Sequence, residues 1–390
     1  MKEHHLRSWF VLFLIACSAA VAQAFGRFAF GVVYPAIRDD LSISNTVAAL
    51  LGATNVGAYL VGTLIVAWST RYLRLLTTFR TGMILAATGL VIAAVAESPL
   101  TLAAGLAMAG VGGAFVWIPA PAIAADAMPE RHRNLAVGLM GSGIGFGIVF
   151  VSLLAASMRE SMGDAAWSGV YQVQALVALA VLVGALVFVR HVQAAPGGRQ
   201  DESRVAALRR MPGWLPMVSG YAAFGFKYLL VIGFLTTRLE DDSGWSSSDA
   251  AYAFTLMGVA MIFGGPLFAA VTNRAGVRFA LSLAFFCWPL LVLLVLTGLP
   301  VLVLPGVFGL GLLFSAIPSL MTMYVVAHTT LADYGPAFSA ATLVFGLAQV
   351  VSPPVGGLIA DLSGSFTWVF VLSAIVGGLG FLTARRLPQD

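Results

Sequence analysis

Residues 8–34 pass almost without interruption through apolar side chains, and eleven further stretches of the chain do the same. A bilayer core takes about 20 apolar residues in helical form. Lipid offers no partner for a free N–H or C=O, so a spanning segment is a helix or a strand of a closed barrel. These runs reach 20 residues or more and lack the short alternation of barrel strands. Only 10% of residues are charged and 59% are apolar, against about 25% charged in a soluble domain. The expectation is an all-α membrane protein. Twelve spans are read at 8–36, 46–69, 76–96, 100–125, 134–157 and 167–190, then 214–238, 249–272, 277–297, 300–326, 335–360 and 366–386. The one long polar stretch, 191–213, divides the chain into two pseudo-symmetric six-helix bundles, 1–190 and 214–390.

Two cations lie deep in apolar runs. Arg27 stands 20 residues after Arg7 and 11 before Arg38, roughly 30 Å and 16 Å along a helix. A cation at that depth costs about 2.5–3.5 kcal/mol on insertion scales. Lys227 follows Arg27 by 200 residues, and Arg238 follows Arg38 by 200. Acidic clusters come next in both copies: Asp39 and Asp40, then Glu240, Asp241 and Asp242. The shared spacing indicates two halves built alike.

With the N-terminus inside, 16 of the 21 Lys and Arg fall in inner segments and three (Arg38, Arg159, Arg238) in outer ones. This predicts cytoplasmic termini in the cytoplasmic, inner, membrane. The N-terminus has the look of a signal peptide. The run continues past Ala24 to Tyr34, however, so cleavage is not expected. Cys17 and Cys287 both lie in apolar runs and are read as packing residues.

A second internal match joins Gly110–Pro119 to Gly309–Pro318. Both read G-x-G-x-x-F-x-x-I-P, 199 residues apart. A dinucleotide fingerprint needs a preceding strand and a soluble crevice, and neither is expected here. The reading is close helix approach at Gly112 and Gly311 and a bend at Pro119 and Pro318. Gly138, Gly141, Gly143, Gly145 and Gly147 likewise suit helix packing, since no Gly-Lys-Ser/Thr accompanies them.

Twelve spans in a 6+6 repeat, with a basic linker and inner termini, resemble the major facilitator superfamily over essentially the whole chain. In that family the loop between spans two and three carries an Asp-Arg-x-Gly-x-Arg type of run. Here Thr70, Arg71, Leu73 and Arg74 stand at those places. The second copy has Asn273, Arg274, Gly276 and Arg278. Both lack the acid, so the resemblance implies the fold but not that loop's charge relay. The PERHRNLAVG loop and the glycine-rich fifth span also look like the family. GRFAF in span one and GPAFSAATL entering span eleven resemble its YbfB/YjiJ-like bacterial branch. The resemblance implies alternating access about a site near the midplane, lined by spans one, four, seven and ten.

Arg27 and Lys227 would then face each other across a cavity. Gln23, Gly31 and Tyr34 share the Arg27 face, and Phe224 and Phe234 the Lys227 face. Asn55 and Tyr59 in span two, Trp117 in span four and Gln349 in span eleven add to the candidate substrate site. Arg71, Arg74, Arg274, Gly276 and Arg278, with Gly112, Pro119, Gly311 and Pro318, are the gating and structural candidates. None of the 17 acids lies mid-span, so the two cations suit a bound anion, and an arginine can hold a carboxylate bidentately. The competing reading holds them by carbonyls, water or helix ends, in a gate. The same absence removes the usual Asp, Glu or His proton relay; His328 ends span ten. The expectation is a secondary transporter or facilitator of a small organic anion, a monomer in the bilayer, with no cofactor, metal or nucleic acid. A multidrug or hydrophobic-solute exporter of the same fold is the alternative. A membrane enzyme would need convergent nucleophile, metal or acid–base groups at depth, which the sequence does not place.

Overall fold

The computed structural model describes residues 2–69, 72–129, 132–190 and 204–388. Thr70, Arg71, Arg131 and most of the 191–213 linker fall outside them. The described residues are helical nearly throughout and contain no strand. Eleven helical stretches are long and apolar enough to cross a membrane. One of these, Leu139–Phe188, comprises two helices joined by a tight turn, which makes twelve spans. The chain divides into two compact units, Met1–Ile43 with Leu50–Arg199, and Ser44–Ala49 with Gln200–Asp390.

The first unit opens with α1 (Lys2–Ala19), a π-helical segment (Ala20–Phe28) and α2 (Ala29–Asp40), which together make one span. Most of α3 (Asn45–Ser69) follows, then α4 (Leu75–Ala94), α5 (Pro99–Trp117), α6 (Ala120–Asp126), α7 (Arg133–Met162) and α8 (Ala166–Phe188). Helix ends obey local chemistry. Ser98 caps α5 by accepting from Thr101 N at 3.2 Å, with Pro99 in the first turn where its missing N–H is no loss. Near the other end of the same span, α5 stops at Trp117 and α6 starts after Pro119, which has no N–H to continue the ladder. Small residues bring α4 and α5 together: a Cβ on Gly89 would stand 2.4 Å from Ala109 N, and one on Gly112 2.4 Å from Ala86 N. Asp40, at the end of α2, accepts from Trp167 Nε1 at 2.7 Å and so pins the start of α8.

The second unit comprises α9 (Arg204–Arg210), α10 (Trp214–Asp241), α11 (Ser247–Ala275), α12 (Val277–Leu296), α13 (Pro300–His328), α14 (Leu331–Ser363) and α15 (Thr367–Arg385). Asp242, just past α10, repeats the device of Asp40. It accepts from Ser365 Oγ at 2.8 Å and Thr367 N at 3.0 Å at the start of α15. The acidic residues after each deep cation thus include one that closes its own unit. The first turn of α3 packs with this unit, where Asp361 accepts from Asn45 N and Thr46 N at 2.9 and 2.8 Å.

The two copies of the glycine–proline motif do not play the same parts. In the first, Gly110 abuts α3 (Asn55 O, 2.3 Å from its ideal Cβ) and Gly112 abuts α4. In the second, Gly309 meets the Leu291 side chain of α12, while Gly311 meets Met257 O of α11 at 2.4 Å. Glycines two apart point to nearly opposite sides of a helix, so either register satisfies two neighbours. The prolines differ as well: the helix breaks at Pro119, whereas α13 continues through Pro318.

Candidate functional site

Arg27 does not lie on an ordinary α-helix. Ala20–Phe28 is a π-helix, in which backbone bonds reach five residues instead of four. Apart from Gln23 and Arg27 its residues are small, aliphatic or aromatic, and every one is buried except Arg27, which is half-buried. Glycines of α7 press on it: a Cβ on Gly147 would lie 2.6 Å from Ala24 Cβ. Long π segments are rare and often accompany function. The extra backbone per turn resets which faces Gln23 and Arg27 occupy.

Beside the π segment stands α3. Asn55 donates its amide to Leu106 O of α5 at 2.9 Å, and a Cβ on Gly26 would meet Asn55 Nδ2 and Ala109 Cβ at 3.3 Å. Asn55 is thus the clamp that sets α3 and α5 against the π segment. One turn further on, the Tyr59 ring lies 5.4 Å from the Arg27 guanidinium carbon, and Gln23 sits next to the same tyrosine. Gln23 is 5% exposed and its side chain hydrogen-bonds to Tyr59. Tyr34 is buried two turns away, edge-on to Phe30 at 5.9 Å. Trp117 is half-buried at the break between α5 and α6. The structure therefore brings Gln23, Arg27, Asn55 and Tyr59 together.

Lys227 has other surroundings. It lies within the regular helix α10, fully buried, with Nζ 3.8 Å from the Trp288 ring centre and 4.4 Å from that of Phe285, both on α12. Phe224 flanks it at 5.9 Å. Glycines of α15 make room for the rings: a Cβ on Gly380 would lie 2.3 Å from Phe285 and one on Gly377 2.8 Å from Trp288. Trp288 Nε1 donates to Ser373 Oγ at 3.1 Å, and Ser373 donates to Lys227 O at 2.9 Å. Next to this box, Tyr221, Phe224, Tyr228, Phe314 and Phe345 form an aromatic cluster across α10, α13 and α14. Gln349 donates to the Tyr228 hydroxyl within it. Phe234 packs on Phe366 at 5.5 Å, remote from the box.

Of the loop cations, Arg71 falls outside the described residues, and Arg74 and Arg274 are exposed. Gly276 has φ 81°, a conformation costly for other residues, and it turns α11 into α12. Arg278 donates to Arg385 O at 2.6 Å, tying α12 to the end of α15. Arg80, which sequence reasoning passed over, does the same in the first unit by donating to Val189 O at 2.9 Å. Its signal was an arginine near the start of the third span of each half. Among the described residues no cluster of three His, Cys, Asp or Glu is placed to hold a metal ion.

Two solved structures share this fold. A bacterial homologue of the human lysosomal transporter Spinster, in an inward-facing and unoccupied conformation, superposes with TM-score 0.75 at 17% identity, over 97% of each chain. The nucleoside transporter NupG superposes with TM-score 0.77 at 12% identity, over 96% of this chain and 98% of that one. At such identities the likeness speaks for the fold, and the fold is that of the major facilitator transporters. The family model described as "Uncharacterised MFS-type transporter YbfB" matches residues 19–385, and the chain belongs to that family. It is a multi-pass membrane transporter of small molecules and not an enzyme. No curated protein sequence matches it.

Proposed function

We propose that the protein is a secondary transporter or facilitator of a small organic anion, a carboxylate, working by alternating access. The observation that supports this most is Gln23. Its buried amide lies one turn from the Arg27 guanidinium and hydrogen-bonds to Tyr59, which leaves it a further N–H to donate. A buried donor without a partner costs about 1–3 kcal/mol, and a carboxylate accepting from both Gln23 and Arg27 recovers it. Arg27, Gln23 and Tyr59 are the anion contacts on this reading. Asn55 positions them, and Gln349 with Tyr228 lines the aromatic side of the second unit.

Isothermal calorimetry on the purified protein against a panel of monocarboxylates and dicarboxylates tests the reading. Saturable binding that disappears in Arg27→Gln and Gln23→Leu is the expected result. The aromatic cluster Tyr221–Phe224–Tyr228–Phe314–Phe345 favours the other reading, export of lipophilic solutes. Binding of lipophilic cations with no response to carboxylates would establish that one instead. We propose further that both termini are cytoplasmic in the inner membrane. A cysteine placed at Ser243 should then react only with reagent added outside, and one placed at Arg209 only from within.

A further inference from the structure

Nineteen of the 21 basic Lys and Arg residues are arginine; the two lysines are Lys2 and Lys227. Arginine keeps its proton in proteins, whereas a lysine ammonium readily gives one up when buried. Lys2 precedes the first apolar run. The deep cation of the second half is therefore of the kind that can change its charge, and the deep cation of the first half is not.

The surroundings of Lys227 make that difference matter. Its side chain is 0% exposed, and Nζ has no hydrogen-bond partner among the described residues. Two polar groups of the box are already engaged, Trp288 Nε1 with Ser373 and Ser373 with Lys227 O. An ammonium there leaves three N–H donors unsatisfied. Ring faces return only part of what burying an ion costs. A neutral amine bears no such cost. The box thus suits an amine at rest and tolerates an ammonium when the rings lie beneath it.

Other ionisable groups do not intervene. On α10 itself Tyr221 and Tyr228 lie in the aromatic cluster, and Arg238, Glu240 and Asp241 lie at the far end. The packed helices carry Asp249, Tyr252 and Arg274 (α11), Arg278 and Cys287 (α12), Tyr324 and His328 (α13), Asp333, Tyr334 and Asp361 (α14), and Arg385 (α15). All but Cys287, which adjoins Trp288 in the chain, belong to the end regions of their helices, and none forms an ion pair with Lys227.

We propose that Lys227 is the proton-carrying group of the transport cycle. Nζ takes a proton from hydronium on one side, an N–H bond forming as an O–H bond breaks, and gives it to water on the other, that N–H bond breaking as an O–H bond forms. The proposal goes beyond the anion reading and does not depend on it.

The test needs no solute. Full-length protein carrying Lys2→Arg and grown with lysine 13C-labelled at Cε has a single lysine signal. In nanodiscs that signal should titrate as one proton within the pH range over which the protein stays folded. A shift that stays at the ammonium position, or at the amine position, over the whole range overturns the proposal. A second measurement separates a carrier from a mere cation–π contact. The difference in Tm between the wild-type protein and Lys227→Met should change across the same pH interval. A difference constant with pH assigns Lys227 to packing alone and likewise overturns it. Calorimetry with carboxylates stands apart, so failure of the anion reading leaves this result intact.

Discussion

Arg27 and Lys227 occupy matching places 200 residues apart, and the structure treats them differently. Arg27 sits half-buried in a π segment against Tyr59, one turn from the buried Gln23 amide. Lys227 sits on a regular α-helix inside a box of aromatic rings and forms no ion pair among the described residues. Spacing along a helix sets how deep a side chain lies, because rise per residue is fixed. Direction is set by rotation, about 100° per residue in an α-helix, and a π segment shifts that phase. Two cations can therefore share a depth and serve different chemistry. On the reading proposed above, the first receives an anion, while the second is enclosed by aromatic rings.

The largest effects expected are on binding. Arg27→Gln should weaken carboxylate binding by about 30-fold or more, since losing one partner of a buried charged pair costs about 2–5 kcal/mol. Lys227→Met should leave it within about threefold. Equal losses in calorimetry would restore the symmetry of the two cations and remove the distinction drawn here. Arg27→Lys should fall between, because a point charge lacks the planar fork.

Next come the glycines that shape each site. Gly380→Leu drives a side chain into the Phe285 ring and should lower stability by about 1–3 kcal/mol. Gly26→Ala meets its neighbours only at 3.3 Å. Its gain in helix propensity, about 1 kcal/mol, offsets that crowding, so Tm should barely move. A large loss at Gly26 would mean that the π segment tolerates no added side chain.

The smallest expected effect compares the closing acids. Asp242→Ala removes bonds to Ser365 and Thr367 and leaves the Arg238 guanidinium, 3.5 Å away, without its carboxylate. It should cost about 1–3 kcal/mol. Asp40→Ala removes the bond to Trp167 and should cost about 1 kcal/mol. Thermal unfolding of the two variants checks the order. A reversed order would show that the first unit relies more on its outer closure than the second.

Much of the architecture was written in the chain. Twelve apolar runs, the polar break at 191–213 and the 200-residue echo determined a helical membrane protein of two halves, because lipid admits only helices or closed barrels and unbroken runs of 20 residues or more suit helices. Glycine and proline positions were legible too, though their partners were not. Gly112 and Gly311 align in sequence but rest on different neighbours, since a G-x-G pair offers glycine to both sides of its helix. Of the site, the chain alone determined that Arg27 and Lys227 lie deep. Only the tertiary structure decided that Ala20–Phe28 winds as a π-helix, that Asn55 is spent on Leu106 O, and that Gly377 and Gly380 open the space in which Phe285 and Trp288 enclose Lys227. Those outcomes depend on how neighbouring helices are rotated and how closely they approach. Such quantities arise from packing among many side chains, and no local stretch of sequence encodes them.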